Sequence, residues 1–352
     1  MLRISIPALA ACSVAFLTAC SSAPLQDRTP LPNAQLRRPV PHQAKRWSNV
    51  YLINAPRGNG YISVYAGGTS HVLYEIRSGI TYAESIILDP TGNAYIYNNA
   101  TNCIIVFAAT KNKRLYTSNG GKEILGPPAI DSQGNLYVPL PRENRILVYA
   151  SGTRKIVRKI TDHLSIPFSP IFDSNDNLYV INAGTSNVVE FGAGTSRPIR
   201  IIAVSKETRE LAVDPKGNLY VLSLGLKYEQ PSIVVFAPNA SSPETTITDG
   251  LTSPESMAFD SRGDLFVLNT NDSINDITAY APGATKPYRT FDKNSAGTSA
   301  MAIDAADNLY VANTRKGNYG VGSFKVYALD TNEILRTVSR DVNEPIAIAI
   351  GP

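Results

Sequence analysis

The stretch Ala302-Ile303-Asp304-Ala305-Ala306-Asp307-Asn308-Leu309-Tyr310-Val311-Ala312-Asn313 reads as a strand, a tight turn and a second strand. An aspartate in the turn can accept the backbone N–H two residues on, and Gly or Asn supplies the positive φ that such a turn needs. The pattern returns at Ile87–Asn98, Ala129–Val138, Ile171–Asn182, Ala212–Val221 and Ala258–Asn269. A Tyr or Phe marks each second strand, at positions 51, 95, 137, 179, 220, 266 and 310, so the repeat is 41 to 46 residues long. Periods of this size belong to propeller blades and solenoid units.

Working outward, a third strand ends in an aromatic and a small residue, as in Ile62-Ser63-Val64-Tyr65-Ala66. A more polar fourth strand follows in every unit, for example Lys155–Ile160. Apolar first and second strands suit burial on both faces, and polar fourth strands suit an exposed edge. The expected fold is all-β, a seven-bladed β-propeller of four-stranded blades. Seven second strands face only six Asp-terminated first strands, because nothing but a linker precedes Val50–Ile53. The missing strand is expected in Glu344–Ile350, so that the C-terminal strand joins the N-terminal blade and closes the ring.

The unit Ala212-Val213-Asp214-Pro215-Lys216-Gly217-Asn218-Leu219-Tyr220-Val221 resembles the NHL repeat and the wider gluconolactonase-like propeller superfamily. The resemblance runs from Trp47 to the end. It departs from the typical NHL unit in placing Asn54, Asn98, Asn182, Asn269 and Asn313 after the second strand, where that repeat favours Asp. The Gly-His and Trp-Asp pattern of WD repeats is absent, and the only tryptophan, Trp47, precedes the first strand.

The chain opens with Met1-Leu2-Arg3 and an uncharged run to Thr18, then Leu17-Thr18-Ala19-Cys20. The run is short for a membrane span and carries one flanking positive charge, as in an export signal over residues 1–19. Its end resembles the lipobox of bacterial lipoproteins, which implies acylation of Cys20, a membrane anchor and a cell-envelope location; Ser21 after the cysteine favours the outer membrane. Residues 20–48, with five prolines, read as a flexible tether, and residues 49–352 as the propeller. Taking Arg3 and the tether's net +4 from the chain's +4 leaves −1 on the propeller, so a nucleic-acid partner is not expected. With Cys12 in the signal and Cys20 lipidated, Cys103 is a lone thiol in an apolar run, read as buried and inert. No disulfide framework is available, and a monomer held together by burial is expected.

For chemistry, the Asp-x-x-Gly-Asn turns read as turns and not as cation loops, because too few oxygen ligands are present. Only three histidines occur, none with zinc-site spacing, and no Gly-x-Ser-x-Gly elbow is present. Streptogramin-lyase-like propellers resemble this one in blade number, but their acid/base chemistry would have to fall to His163, which reads as a surface-loop residue. The remaining metal candidates are Glu84, Glu255 and Glu344, five positions before the turn aspartate, with Ala349 standing in for it in the last unit. Carboxylates converging on the funnel could hold Ca²⁺, and no other cofactor is expected. The resemblance implies the corresponding activity, a metal-dependent lactonase- or esterase-like hydrolase or a lyase. The preferred expectation is binding of a protein or glycan partner through the loops at 54–61, 224–231, 269–276 and 313–322, with Tyr61, Tyr228 and Tyr319 as contacts.

Overall fold

A computed structural model describes residues 48–351, apart from 57–59, 100, 109–111, 120–125, 226–228, 271–274, 296 and 315–321. The strands form seven antiparallel sheets of four strands each. Blades 2 to 7 occupy 83–119, 129–160, 167–203, 208–247, 254–295 and 298–338, their strands following chain order from the ring's axis to its perimeter. Blade 1 takes its inner strand, Pro345–Gly351, from the C-terminus and its other three from Asn49–Ile76. The closing strand pairs Ile350 with Val50, Ala349 with Tyr51 and Ile348 with Leu52. The ring closes as the sequence predicts, and leaves no open seam between first and last blades.

Alternation along each strand sends successive side chains to opposite blade interfaces. Tyr51 and Ile53 pack with Ile86, Leu88 and Ile96 of blade 2, while Val50 and Leu52 pack with Ala300, Tyr310 and Phe324 of blade 7. The core is therefore a set of inter-blade clusters, and the aromatic marker of each second strand fills one of them. The fourth strands differ from the polar reading. Each of six holds one fully buried anchor, Ile76, Ile160, Ile202, Ile247, Phe291 or Val338, and several also expose large aliphatic residues. Blade 3 has the shortest inner strand, Ala129–Ile130, because Pro127 and Pro128 before it lack ladder donors.

The six Asp turns lie together on one rim, called here the lower face. In each, one carboxylate oxygen accepts the N–H groups two and four residues on; for Asp304 these are Ala306 and Asn308, both at 2.9 Å. The other oxygen of Asp304 accepts Nδ2 of Asn308 at 2.8 Å and the Tyr310 hydroxyl at 3.0 Å. These carboxylates are saturated turn elements, as the sequence suggests. Neighbouring turns also recognise one another. Where the left-handed position is Asp, at Asp176 and Asp307, its carboxylate accepts the N–H and hydroxyl of Ser132 or Ser261 in the preceding blade. The other four turns have glycine there, Gly92, Gly134, Gly217 and Gly263, and at two of them, Gly134 and Gly263, a Cβ would lie 3.8 and 3.6 Å from Pro90 and Pro215 at the same place in the preceding blade.

Candidate functional site

In an antiparallel blade, the second-to-third-strand loops and the blade-to-blade crossovers emerge opposite the Asp turns, on the upper face. The described ends of all four loops singled out in the sequence lie there. So do Glu84, Glu255 and Glu344. The asparagines that end the second strands organise this face from beneath. Asn98, Asn182 and Asn269 are buried, and each accepts the N–H seventeen residues upstream, from Thr81, Ser165 and Thr252. Each donates Nδ2 to the carbonyl nineteen residues upstream, of Gly79, His163 and Gly250. Asn54 makes the first of these bonds to the N–H of Asn343 at 2.8 Å, across the closure of the ring. They are structural staples, not ligands.

Immediately before the inner strands, one carbonyl does the same work in six blades. Those of Glu344, Tyr82, Ile166, Glu207, Ser253 and Gly297 accept the N–H of Ala55, Asn99, Ala183, Leu224, Thr270 and Thr314 at 2.7 to 3.2 Å. Four of the six are left-handed, Glu344 (φ 47°), Tyr82 (φ 48°), Ile166 (φ 54°) and Gly297 (φ 95°), whereas Glu207 and Ser253 make the same bond without positive φ. At Gly297 a Cβ would meet the Thr314 carbonyl oxygen at 1.7 Å, so only glycine fits. Elsewhere the backbone is fixed and the side chain is free to differ. Tyr82 is 58% exposed and Ile166 49%, large side chains held in water on backbone that disfavours them.

Two residues further on, the inner strands carry β-bulges at Glu84, Arg209, Glu255 and Ser299. Arg209 pairs with Glu255 of the next blade, Nη2 to Oε2 at 3.2 Å. Glu84 accepts Nδ2 of Asn99, and burial raises its carboxyl above the usual range against that hydrogen bond. Glu210, next to Arg209, is half-buried with its carboxyl shielded from water, and accepts the N–H of Met257 at 2.8 Å. Desolvation pushes Glu210 well above the ordinary carboxylate value, partly offset by that bond and by Arg209.

The register corrects one equivalence. Ala349 faces Tyr51 as Ile87 faces Tyr95, so the counterpart of Asp89 is Gly351. Glu344 therefore matches Tyr82, and the counterpart of Glu84 and Glu255 is the bulged Ile346. Among the described residues no three His, Cys, Asp or Glu side chains come together as a metal site. Tyr61 is 5% exposed, contrary to its expected role as an exposed contact. Its hydroxyl accepts Nδ2 of Asn343 at 2.6 Å and Arg77 stacks on its ring at 4.2 Å, so local packing accounts for it. Tyr228, Tyr319 and Cys20 lie outside the described residues. Cys103 is buried, and His163 is exposed beside Asp162, with Nδ1 to Oδ1 at 2.8 Å. The mouth residues Tyr82 and Ile166 were not singled out from sequence; counting seven back from each turn aspartate reaches both.

No family model matches the chain, and no curated protein matches it. Among solved structures, the dihydro-heme d1 dehydrogenase NirN in complex with DHE superposes at a TM-score of 0.60 and 11% identity, over 89% of this chain and 77% of that one. At that identity the likeness concerns the fold alone, and 1172 solved chains share it to some degree. A shared fold does not fix function. What the comparison and the strand order establish together is a seven-bladed β-propeller.

Proposed function

We propose that the protein is an exported, lipid-anchored binding module of the cell envelope whose upper face docks a protein partner. One observation carries the reading: Tyr82 and Ile166 occupy a position where the backbone is left-handed and glycine would be free of strain, yet both project into solvent. Left-handed backbone costs a non-glycine residue roughly 1–2 kcal/mol. Fully burying a large apolar side chain against a partner returns about 1.5–3 kcal/mol, enough to offset it. An aliphatic contact such as Ile166 suits a protein surface better than a glycan. The test is a photocrosslinking residue placed at 82 or 166, with 132 on the lower face as comparison. One adduct of defined mass from the two upper positions, and none from 132, is expected; the reverse pattern would sink the reading.

The alternative, a metal-dependent hydrolase or lyase, would use Glu84 and Glu255 as ligands. It predicts a thermal midpoint that rises with millimolar Ca²⁺ and stops responding in a Glu84→Gln, Glu255→Gln double variant.

A further inference from the structure

The propeller's near-neutral charge hides a division around its perimeter. In blades 2, 3 and 4, the segments 108–119, 150–160 and 192–203, which hold the outer strands and the turns leading to them, contain no Asp or Glu. The corresponding edges of blades 5, 7 and 1 carry solvent-facing acids, Glu244, Glu333 and Glu75, whereas Asp292 of blade 6 is buried against Lys325 and Tyr327. The acid-free arc is strongly basic. Lys113, Arg114, Arg154, Lys155, Lys159 and Arg197 are exposed along it. Large apolar side chains stand among these cations: Leu115 is 43% exposed, Ile156 51%, Val157 52%, Ile199 59% and Ile201 42%. The surface continues from blade 3 to blade 4, because Arg158 donates to the carbonyl of Thr195 at 3.2 Å.

We infer that this arc is a docking surface for an anionic lipid bilayer, on which the propeller rests edge-on. Exposed aliphatic residues enter the boundary between headgroups and acyl chains, and Lys and Arg beside them engage anionic headgroups. Charge complementarity selects this occupant. Single-stranded nucleic acid would need exposed aromatic platforms for its bases, and the large exposed side chains of this arc are aliphatic. Edge-on seating leaves the upper face clear of the membrane, open to a partner. The inference stands independently of lipidation at Cys20 and of the docking proposed for Tyr82 and Ile166.

The test uses residues 20–352 carrying Cys20→Ser, so that neither the apolar run at 4–18 nor an acyl group contributes and the basic tether is the same in every variant. Co-sedimentation is measured with vesicles of equal parts phosphatidylglycerol and phosphatidylcholine, and with phosphatidylcholine alone. Binding to the anionic vesicles is expected. At ~1 kcal/mol per cation, the triple variant Arg154→Gln, Lys155→Gln, Lys159→Gln should weaken it on the order of a hundredfold. Ile156→Ser with Val157→Ser should weaken it too, whereas Ile334→Ser with Leu335→Ser, on the opposite arc, should leave it unchanged. The triple variant alters only exposed side chains, so it remains decisive if the apolar pair unfolds. Wild-type affinity in the triple variant, an equal loss from the opposite arc, or binding of a single-stranded oligonucleotide in place of vesicles would each overturn the inference.

Discussion

On the lower face six aspartates make the same backbone bonds, and their side chains are spent in making them. On the upper face six carbonyls make one repeated bond, but the residues that own them are Glu344, Tyr82, Ile166, Glu207, Ser253 and Gly297. Both rims hold the ring together. In one the side chain is the structural element and cannot vary; in the other the backbone is, and the side chain, glycine at 297 apart, is free to differ. Repetition in a propeller marks what stabilises it, and the breaks in repetition mark where it can recognise something.

Removing Glu344–Pro352 should have the largest effect, because it strips blade 1 of its inner strand and takes from the Ala55 N–H its acceptor, the Glu344 carbonyl, on the upper rim. Circular dichroism should show no cooperative unfolding transition; a truncated chain melting at the wild-type temperature would disprove closure. Next, Asp304→Ala leaves two backbone N–H groups, an amide and a hydroxyl without their acceptor, and should cost about 3 kcal/mol in denaturant unfolding while partner docking survives.

A smaller effect separates the two kinds of lower-face contact. Ser132→Pro deprives Asp176 of both its partners and should cost about 1–2 kcal/mol. Adding Asp176→Gly copies the pairings Pro90–Gly134 and Pro215–Gly263, and should recover part of that loss; additive losses in the double variant would refute the pairing rule. The smallest effect is on the inner strands. Glu210 has a raised folded pKa, so the native state binds its proton more tightly than the unfolded chain does. Its contribution to stability is present below the ordinary carboxylate range, near ~4.3, and is lost as pH rises toward the folded value. Glu210→Gln should therefore raise the melting temperature slightly at neutral pH, with the advantage shrinking as the solution is acidified toward that range. An advantage independent of pH would contradict this.

The sequence made the blades legible because each carries its own local marks: Asp at the turn and Tyr or Phe in the second strand. Closure followed from counting them. The register of the last strand did not, since Pro345–Gly351 lacks the aspartate that indexes the others. A slip of two residues keeps every side chain on the same face, so the apolar pattern could not distinguish Ala349 from Gly351 as the reference. Glu344 was thereby grouped with Glu84 and Glu255 and belongs with Tyr82. Tyr82 and Ile166 are illegible in the sequence for another reason. Aromatic and β-branched residues disfavour left-handed backbone, so no propensity argument puts them there. The buried Tyr61 shows the converse, an aromatic in a loop-facing position whose hydroxyl and ring are already occupied.

The central claim is that the upper-face side chains serve a partner and not the fold, and the double variant Tyr82→Gly, Ile166→Gly tests it most directly. Glycine accepts φ near 50° without strain, so the account predicts a melting temperature at or above that of the wild type, together with loss of the adduct formed by a crosslinker at the neighbouring Thr81. A lower melting temperature with the adduct intact would show that both side chains stabilise the ring, and would contradict the account.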